Sequence, residues 1–363
     1  MTQTSSRWQT NSMTTIYDEQ FVQRLKRGVE SLISEWGASP QAQVKLLTLS
    51  ENATFIVEDP TFKFCTKTEG PNRFIVRVHR PDYHSEAEIR SELEWIQALK
   101  ASQLVTTPAP LLRHKAPAHE DPFIARFDDH GASRYVVAFE FMPGSEPSTD
   151  DDLTAGFETL GAISARLHQH SRQWPLPDGF VRKRWDFTSA FGDTPLWGDW
   201  KAAAGLDQDG KQVLQQLLNV LQQRLADYGD GADRFGLIHT DLRLANLLVQ
   251  GDQLAVIDFD DAGFSWFMYD FASAISFFED SPQVPQLQQA WLRGYRRVRE
   301  LAPEHEAMLP DFIMFRRMLL TAWVASHAET ETAAEAGHER YTQGTVALAK
   351  AYLQAHAAEV SEA

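Results

Sequence analysis

The sequence contains a single cysteine, Cys65, in 363 residues. One thiol can form neither an internal disulfide nor a multi-cysteine zinc site, so a reducing, cytoplasmic setting is expected. No run of about 18 apolar residues occurs, which predicts no spanning helix and no membrane partner. Positive charge is scarce: 34 Lys+Arg stand against 50 Asp+Glu, a net charge of −16. A surface of that sign, without a basic stripe, excludes nucleic acid as a partner and is compatible with cationic ones. Repeats and low-complexity tracts are missing as well. The opening residues, MTQTSSRWQTNSMT, are polar and carry no apolar signal core, so residues 1–15 read as a disordered N-terminus. None of these features bears on oligomeric state.

What is present fits a globular chain, with 43% apolar and 23% charged residues. The length suggests two domains or lobes. Phe21, Leu25, Val29, Leu32 and Ile33 recur at helical spacing between Tyr17 and Trp36, and Gly37 sits where a helix ends. The runs VKLLTL, ATFIVED and RFIVRVH then read as strands, and Ser85–Lys100 as a helix. Two further strand-like runs lie around Phe123–Phe127 and Tyr135–Phe141. The stretch MPGSEPSTDDD follows, combining Pro, Gly and capping residues, and is the best boundary in the chain. It divides a lobe at 16–143 from a mostly helical lobe at 144–363. Helical spacing returns around Leu153–Leu167 and Val213–Leu225, and again from Gln286 onward, with a strand-rich island between Gly236 and Phe259. The fold class expected is α+β in two lobes: a small antiparallel-sheet lobe, then a larger helical one.

The island reads FGLIHTDLRLANLLVQGDQLAVIDFDDAG. An apolar strand ends at His239-Thr240-Asp241, and Asn246 lies five residues after Asp241. A hairpin follows, LLV and LAVID around QGDQ, whose return brings Asp258 back beside Asn246 and Asp241. Two carboxylates and an amide oxygen at one rim suit phosphoryl transfer. One acid orients or deprotonates the attacking hydroxyl, and the other groups are hard oxygen ligands for Mg²⁺.

HTDLRLANLLV followed by VIDFDDAG resembles the catalytic core of the aminoglycoside phosphotransferase and homoserine kinase-like family, which has a protein-kinase-like fold. SENATF at 50–55 is similar to that family's phosphate-covering hairpin. FIVRVHRP with SELEWIQAL is similar to its strand-and-helix pair, and VVAFEFMPG to its hinge. The resemblance spans roughly residues 20–330. It implies Asp241 as catalytic base, Asn246 and Asp258 as metal ligands, and ATP with Mg²⁺ as cofactors. It further implies nucleotide contacts at Ser50, Asn52, Arg77 with its partner Glu92, and the hinge residues Glu140, Phe141 and Met142. His239 matches the structural histidine of the loop, and Asp270 the acid that braces it.

The acceptor expected is a small-molecule hydroxyl compound. An acidic rim that includes Asp260 and Asp261 favours an amino-alcohol, such as a homoserine-, hydroxylysine-, choline- or aminoglycoside-like compound. Arg316 and Trp323 share one face of a late helix and are candidates for the acceptor pocket, Arg316 through a substrate carboxylate. Trp185, Trp197, Trp200 and His168 read as core packing.

Three departures set the alternatives. The SENATF loop has no glycine, Arg77 stands where protein kinases carry lysine, and the metal strand reads DFDDAG. A protein Ser/Thr kinase like the bacterial stress-response kinase is one alternative, and a non-catalytic nucleotide-binding pseudokinase the other. GTP as donor also stays open, because hinge contacts are made by backbone.

Overall fold

The computed structural model describes residues 19–50, 52–61 and 72–362. The expected disordered N-terminus and Cys65 lie outside these residues. Helix α1 (Glu19–Leu32) runs into one 3-10 turn (Ile33–Trp36), and Gly37 ends it at φ +89°, a conformation that costs glycine nothing. Strands β1 (Gln43–Leu49), β2 (Ala53–Asp59), β3 (Asn72–Val78), β4 (Ala125–Asp129) and β5 (Ala132–Glu140) form one sheet in the order β1-β2-β3-β5-β4. Every neighbouring pair is antiparallel. Helix α2 (Glu86–Ser102) connects β3 to β4 and starts at Ser85 in a reciprocal capping box with Glu88.

Strand alternation decides which side each residue serves. Phe55, Val57, Phe74, Val76, Val136 and Ala138 face α1, with Leu25, Val29 and Trp36, in a core of their own. Val137 and Phe139 point the other way, to Ile89, Leu93 and Leu99 of α2, and that core continues into the second lobe.

The second lobe contains α3 (Thr154–Gln173), α4 (Phe187–Phe191) and α5 (Gln208–Tyr228), then β6 (Phe235–Ile238), β7 (Leu247–Gln250), β8 (Gln253–Val256) and β9 (Gly263–Trp266). It closes with α6 (Tyr269–Ala274), α7 (Val284–Arg296), α8 (Pro303–Glu306), α9 (Leu309–Ser326), α10 (Glu331–Ala336) and α11 (His338–Glu362). The expected α+β, two-lobed, protein-kinase-like architecture is what the chain adopts. The β7–β8 hairpin forms where the sequence placed it, in the register Leu247↔Val256 to Gln250↔Gln253 with Gly251 at positive φ in the turn. Strand β9 was not foreseen. It pairs with β6, Ile238 opposite Gly263, and so fixes the two ends of the strand-rich island to each other. Among the described residues, no helix is long and apolar enough to cross a membrane.

Helices α3 and α7 approach until their backbones touch. A Cβ on Gly161 would lie 2.0 Å from the Trp291 carbonyl oxygen, and one on Gly294 1.7 Å from that of Glu158. No side chain at either place could turn aside. Gly161→Ala is therefore expected to destabilise the protein by about 1–3 kcal/mol through overpacking, although alanine is the better helix former by about 1 kcal/mol. Urea denaturation reads the difference, and an unchanged midpoint would mean that the two helices separate without cost.

Candidate active site

The site is built on the end of β6. Thr240 has φ +67°, a left-handed backbone that is uncommon for a β-branched residue. The turn persists because buried groups hold it. The Thr240 N–H donates to Asp270 Oδ1 at 2.9 Å, and Thr240 Oγ1 donates to the Asp261 carbonyl at 2.8 Å. The second oxygen of Asp270 accepts from His168 Nε2 at 2.8 Å, and His168 Nδ1 takes the Tyr295 hydroxyl at 3.0 Å. Burial pushes His168 below the usual imidazole range, which agrees with a neutral ring donating at one nitrogen and accepting at the other. Asp270 thus lies directly against the loop it was expected to brace, and His168 packs from α3 behind it.

Asp241 follows that turn. His239 is fully buried; its Nε2 donates to the Ile257 carbonyl at 3.1 Å and its Nδ1 accepts the Asp241 N–H at 3.3 Å. Asn246 Nδ2 donates both to the Asp241 carbonyl and to Asp241 Oδ2, each at 2.8 Å. An amide whose nitrogen is spent in this way turns its oxygen away from Asp241. The Asn246 carbonyl accepts the Ile257 N–H at 2.9 Å, so the returning strand delivers Asp258 next to it. Asp258 also sits at positive φ, +60°, with 46% of its side chain open. Asp241, Asn246 and Asp258 are therefore brought to one corner. A carboxylate and an amide oxygen at that corner form a hard-oxygen set that fits a divalent cation.

The other candidates divide. Arg77 on β3 is buried; its Nη2 reaches both oxygens of Glu92 at 2.6–2.7 Å and its Nη1 reaches Asp258 at 3.0 Å. Three acids surround it, so it is held fully charged. Glu92 is buried and touches the site only through Arg77. Ser50 N donates to the Asn52 carbonyl at 3.1 Å and narrows the β1–β2 turn. Asn52 is engaged within the protein. Its Nδ2 donates to Asp260 Oδ2 at 2.7 Å and its oxygen accepts Arg80 N–H at 3.2 Å. At the hinge, Glu140 is tied to Lys100 Nζ and to the backbone of Ala109, Phe141 lies under Arg73, and half-buried Met142 precedes a bridge from Ser145 to Val249 of β7.

Three acceptor expectations need correction. Asp260 is no rim acid: it is 5% exposed, beneath Arg77, His79 and His84 at 3.4–3.6 Å. Those partners keep its carboxyl well below the usual range despite burial. Arg316 faces no acceptor carboxylate. It is 2% exposed and donates to Ser276 Oγ, Tyr269 Oη, the Thr240 carbonyl and Asp241 Oδ1. Trp323 is buried and stacks on His327 with ring centroids 5.0 Å apart, backing the wall without lining it. Asp261 is half-buried, and its carboxylate takes the Tyr83 hydroxyl at 2.5 Å. Trp197, Arg80 and His327 complete that wall, Arg80 over the Tyr83 ring and bonded to His327 at 2.9 Å. Trp185 and Trp200 are buried, as core packing requires, and so is Trp197, whose indole N–H reaches Tyr83 Oη.

Sequence reasoning missed the cations that join the lobes. Arg182 donates to the carbonyls of Ala262, Asp260 and Glu88, and Lys183 to the Tyr83 carbonyl and His84. The dense VRKRW run was the available signal, a cluster of positive charge in an acidic chain.

Asp270→Ala would strand the Thr240 N–H and the His168 Nε2–H in the interior. The expected loss is about 2–4 kcal/mol, at roughly 1–3 kcal/mol for each buried group left unpaired. Chemical denaturation measures it, and a loss under 1 kcal/mol would show that Asp270 does not brace the loop.

A sequence profile of the phosphotransferase enzyme family matches residues 51–301, more than half of the chain. Amicoumacin kinase of Bacillus subtilis (strain 168) is 26% identical over 289 residues, 77% of this chain and 78% of that protein. Among solved structures, a microcompartment-associated aminopropanol kinase shares 42% identity at a TM-score of 0.78, covering 90% of this chain and 97% of its own. An amicoumacin kinase solved with AMP-PNP and Ca²⁺ shares the fold at a TM-score of 0.69 and 23% identity, over 91% and 93% of the two chains. This chain belongs to the phosphotransferase enzyme family and is a kinase.

Proposed function

We propose that the protein transfers the γ-phosphoryl group of ATP, with Mg²⁺, to the hydroxyl of a short amino-alcohol. The observation that carries this reading is the corner where Asn246 bonds Asp241 and hands its backbone to Ile257, so that two acids and an amide meet. The likeness to an aminopropanol kinase supports the size and class of the acceptor. The nucleotide would lie between the lobe at 16–143 and the lobe at 144–363, held by the hinge Glu140–Met142, the turn at Ser50 and Asn52, and Arg77.

Asn246 and Asp258 would hold the divalent cation, which neutralises charge on the phosphates. Asp241 sits where the acceptor hydroxyl must come. The acceptor oxygen forms the new P–O bond, the bond to the β-phosphate oxygen breaks, ADP leaves, and the hydroxyl proton passes to Asp241 or solvent. Burial would raise the Asp241 carboxyl, but the guanidinium groups of Arg316 and Arg243 outweigh it and hold it below the usual range. It is ionised at neutral pH, and its main task is to orient the hydroxyl. That is sufficient in a loose transition state, where the proton leaves late. Asp261 beside Tyr83 and Trp197 is the acid we place at the acceptor's ammonium group.

An ADP-release panel tests the reading with 1-amino-2-propanol, ethanolamine, homoserine, choline and an aminoglycoside. Turnover should be highest with a short amino-alcohol and should vanish with EDTA. Mg²⁺-dependent turnover also excludes a non-catalytic role. Asp241→Asn should cost about 10²-fold or more in kcat with nucleotide affinity kept; near-normal turnover would remove Asp241 from the mechanism. Asp261→Asn should raise the acceptor KM and leave the nucleotide KM unchanged, whereas the reverse pattern would move the ammonium site elsewhere.

A further inference from the structure

Arg316 lies on α9, seventy-five positions from Asp241 in sequence, yet its guanidinium spans the Thr240–Asp241 peptide. Nη1 donates to the Thr240 carbonyl at 3.3 Å and Nη2 to Asp241 Oδ1 at 2.5 Å. One rigid plane thus grips the backbone and the side chain of adjoining residues. Guanidinium geometry is fixed, so a grip of this kind sets the Asp241 side-chain torsion relative to its own main chain.

The guanidinium is itself immobilised. Nη1 also donates to Tyr269 Oη at 3.0 Å, and Nε donates to Ser276 Oγ at 3.0 Å. The Trp197 ring lies 5.3 Å from its centre. Tyr269 and Ser276 come from α6 and the residues just after it, the segment that also carries Asp270. The two contacts on the carboxylate are complementary: Oδ1 takes Arg316, and Oδ2 takes Asn246 at 2.8 Å, with Arg243 Nε at 3.4 Å. A carboxylate oxygen has two lone-pair directions, so Oδ1, which Arg316 occupies on one side, keeps the other for an incoming hydroxyl.

We propose that Arg316 is a positioning residue for phosphoryl transfer, fixing the orientation of the Asp241 carboxylate without touching the acceptor. The proposal rests on the assignment of Asp241 made above. A lysine here could supply the charge but not the two-point grip. An apolar residue would leave Asp241 held on one side only.

The experiment is a double-mutant cycle on kcat, with ATP, Mg²⁺ and 1-amino-2-propanol as reactants. Arg316→Met should lower kcat on the order of 10²-fold, the scale of a displaced catalytic group, with the KM for 1-amino-2-propanol and for ATP within about twofold of wild type. Arg316→Lys should recover only part of the rate. In an Asp241→Asn background, Arg316→Met should cost less than about threefold, because a residue acting only through another has nothing left to act on. ATP-induced thermal stabilisation checks that each variant keeps its folded cleft.

Three outcomes would overturn the proposal: normal kcat in Arg316→Met, a rise in acceptor KM without loss of kcat, or full additivity in the cycle. Full rate in Arg316→Lys would overturn the two-point grip. If Arg316→Met no longer shows stabilisation by ATP, its effect is on the fold and the positioning role is rejected. An inactive wild type, or an unimpaired Asp241→Asn, would instead reject the functional reading on which the proposal stands.

Discussion

The whole corner around Asp241 depends on one left-handed residue. Thr240 turns the end of β6 so that Asp241 leaves the strand toward the cleft, and a threonine does not hold that conformation unaided. Asp270 captures its N–H, Arg316 its carbonyl and Asp261 its hydroxyl. Each of these partners is itself anchored. His168 from α3 fixes Asp270, α9 supplies Arg316, and the chain after β8 supplies Asp261. The cost of an unfavourable backbone, of order 1–3 kcal/mol, is spread over groups contributed by most of the second lobe. The large helical core is in this sense the mount for a single peptide unit.

The second constraint is a charge problem at the junction of the lobes. Glu92, Asp258 and Asp260 surround one guanidinium, Arg77, while Asn52 and two histidines crowd Asp260 from the first lobe. His84 accepts from Lys183 at Nδ1, so its proton sits on Nε2, facing Asp260. Arg182 adds no neutralisation by direct pairing; it spends its donors on carbonyls of both lobes. The junction thus gathers three carboxylates around one guanidinium. An acidic junction of hard oxygens accepts a small divalent cation more readily than a softer or neutral group. Aromatic contacts complete the seam: Trp95 of α2 meets Phe259 edge to face, and Phe259 leans on His239.

Much of this was legible in the chain. β2 occupies the very residues read as a strand, and the hairpin that returns Asp258 to Asn246 was recoverable from LLV, a Gly-Asp turn and LAVID, because such short-range signals carry their own geometry. The resemblance supplied roles, but only the coordinates show who touches whom. β9 escaped because four residues that begin with a glycine have no periodicity, and their partner strand lies well upstream. Arg316 was read as the partner of a substrate carboxylate: buried arginines on an apolar helix, here Arg316 and Arg317, signal bound anions, and sequence does not say that the anion Arg316 meets is the protein's own aspartate. Asp260 was misread for the converse reason. Adjacent acids look alike in a string, whereas the turn after Asp258 sends one of them inward and the next toward the cleft.

The near-contact of α3 with α7 has a mechanical consequence. Where two helices meet at glycines, slippage by even one position would drive a neighbouring side chain into the opposing main chain. Shear, the usual small sliding by which packed helices accommodate a ligand, is therefore blocked across this pair. The pair thus moves as one piece, and the chain from Phe141 to Leu153, bridged at Ser145 to Val249 of β7, joins the sheet to it.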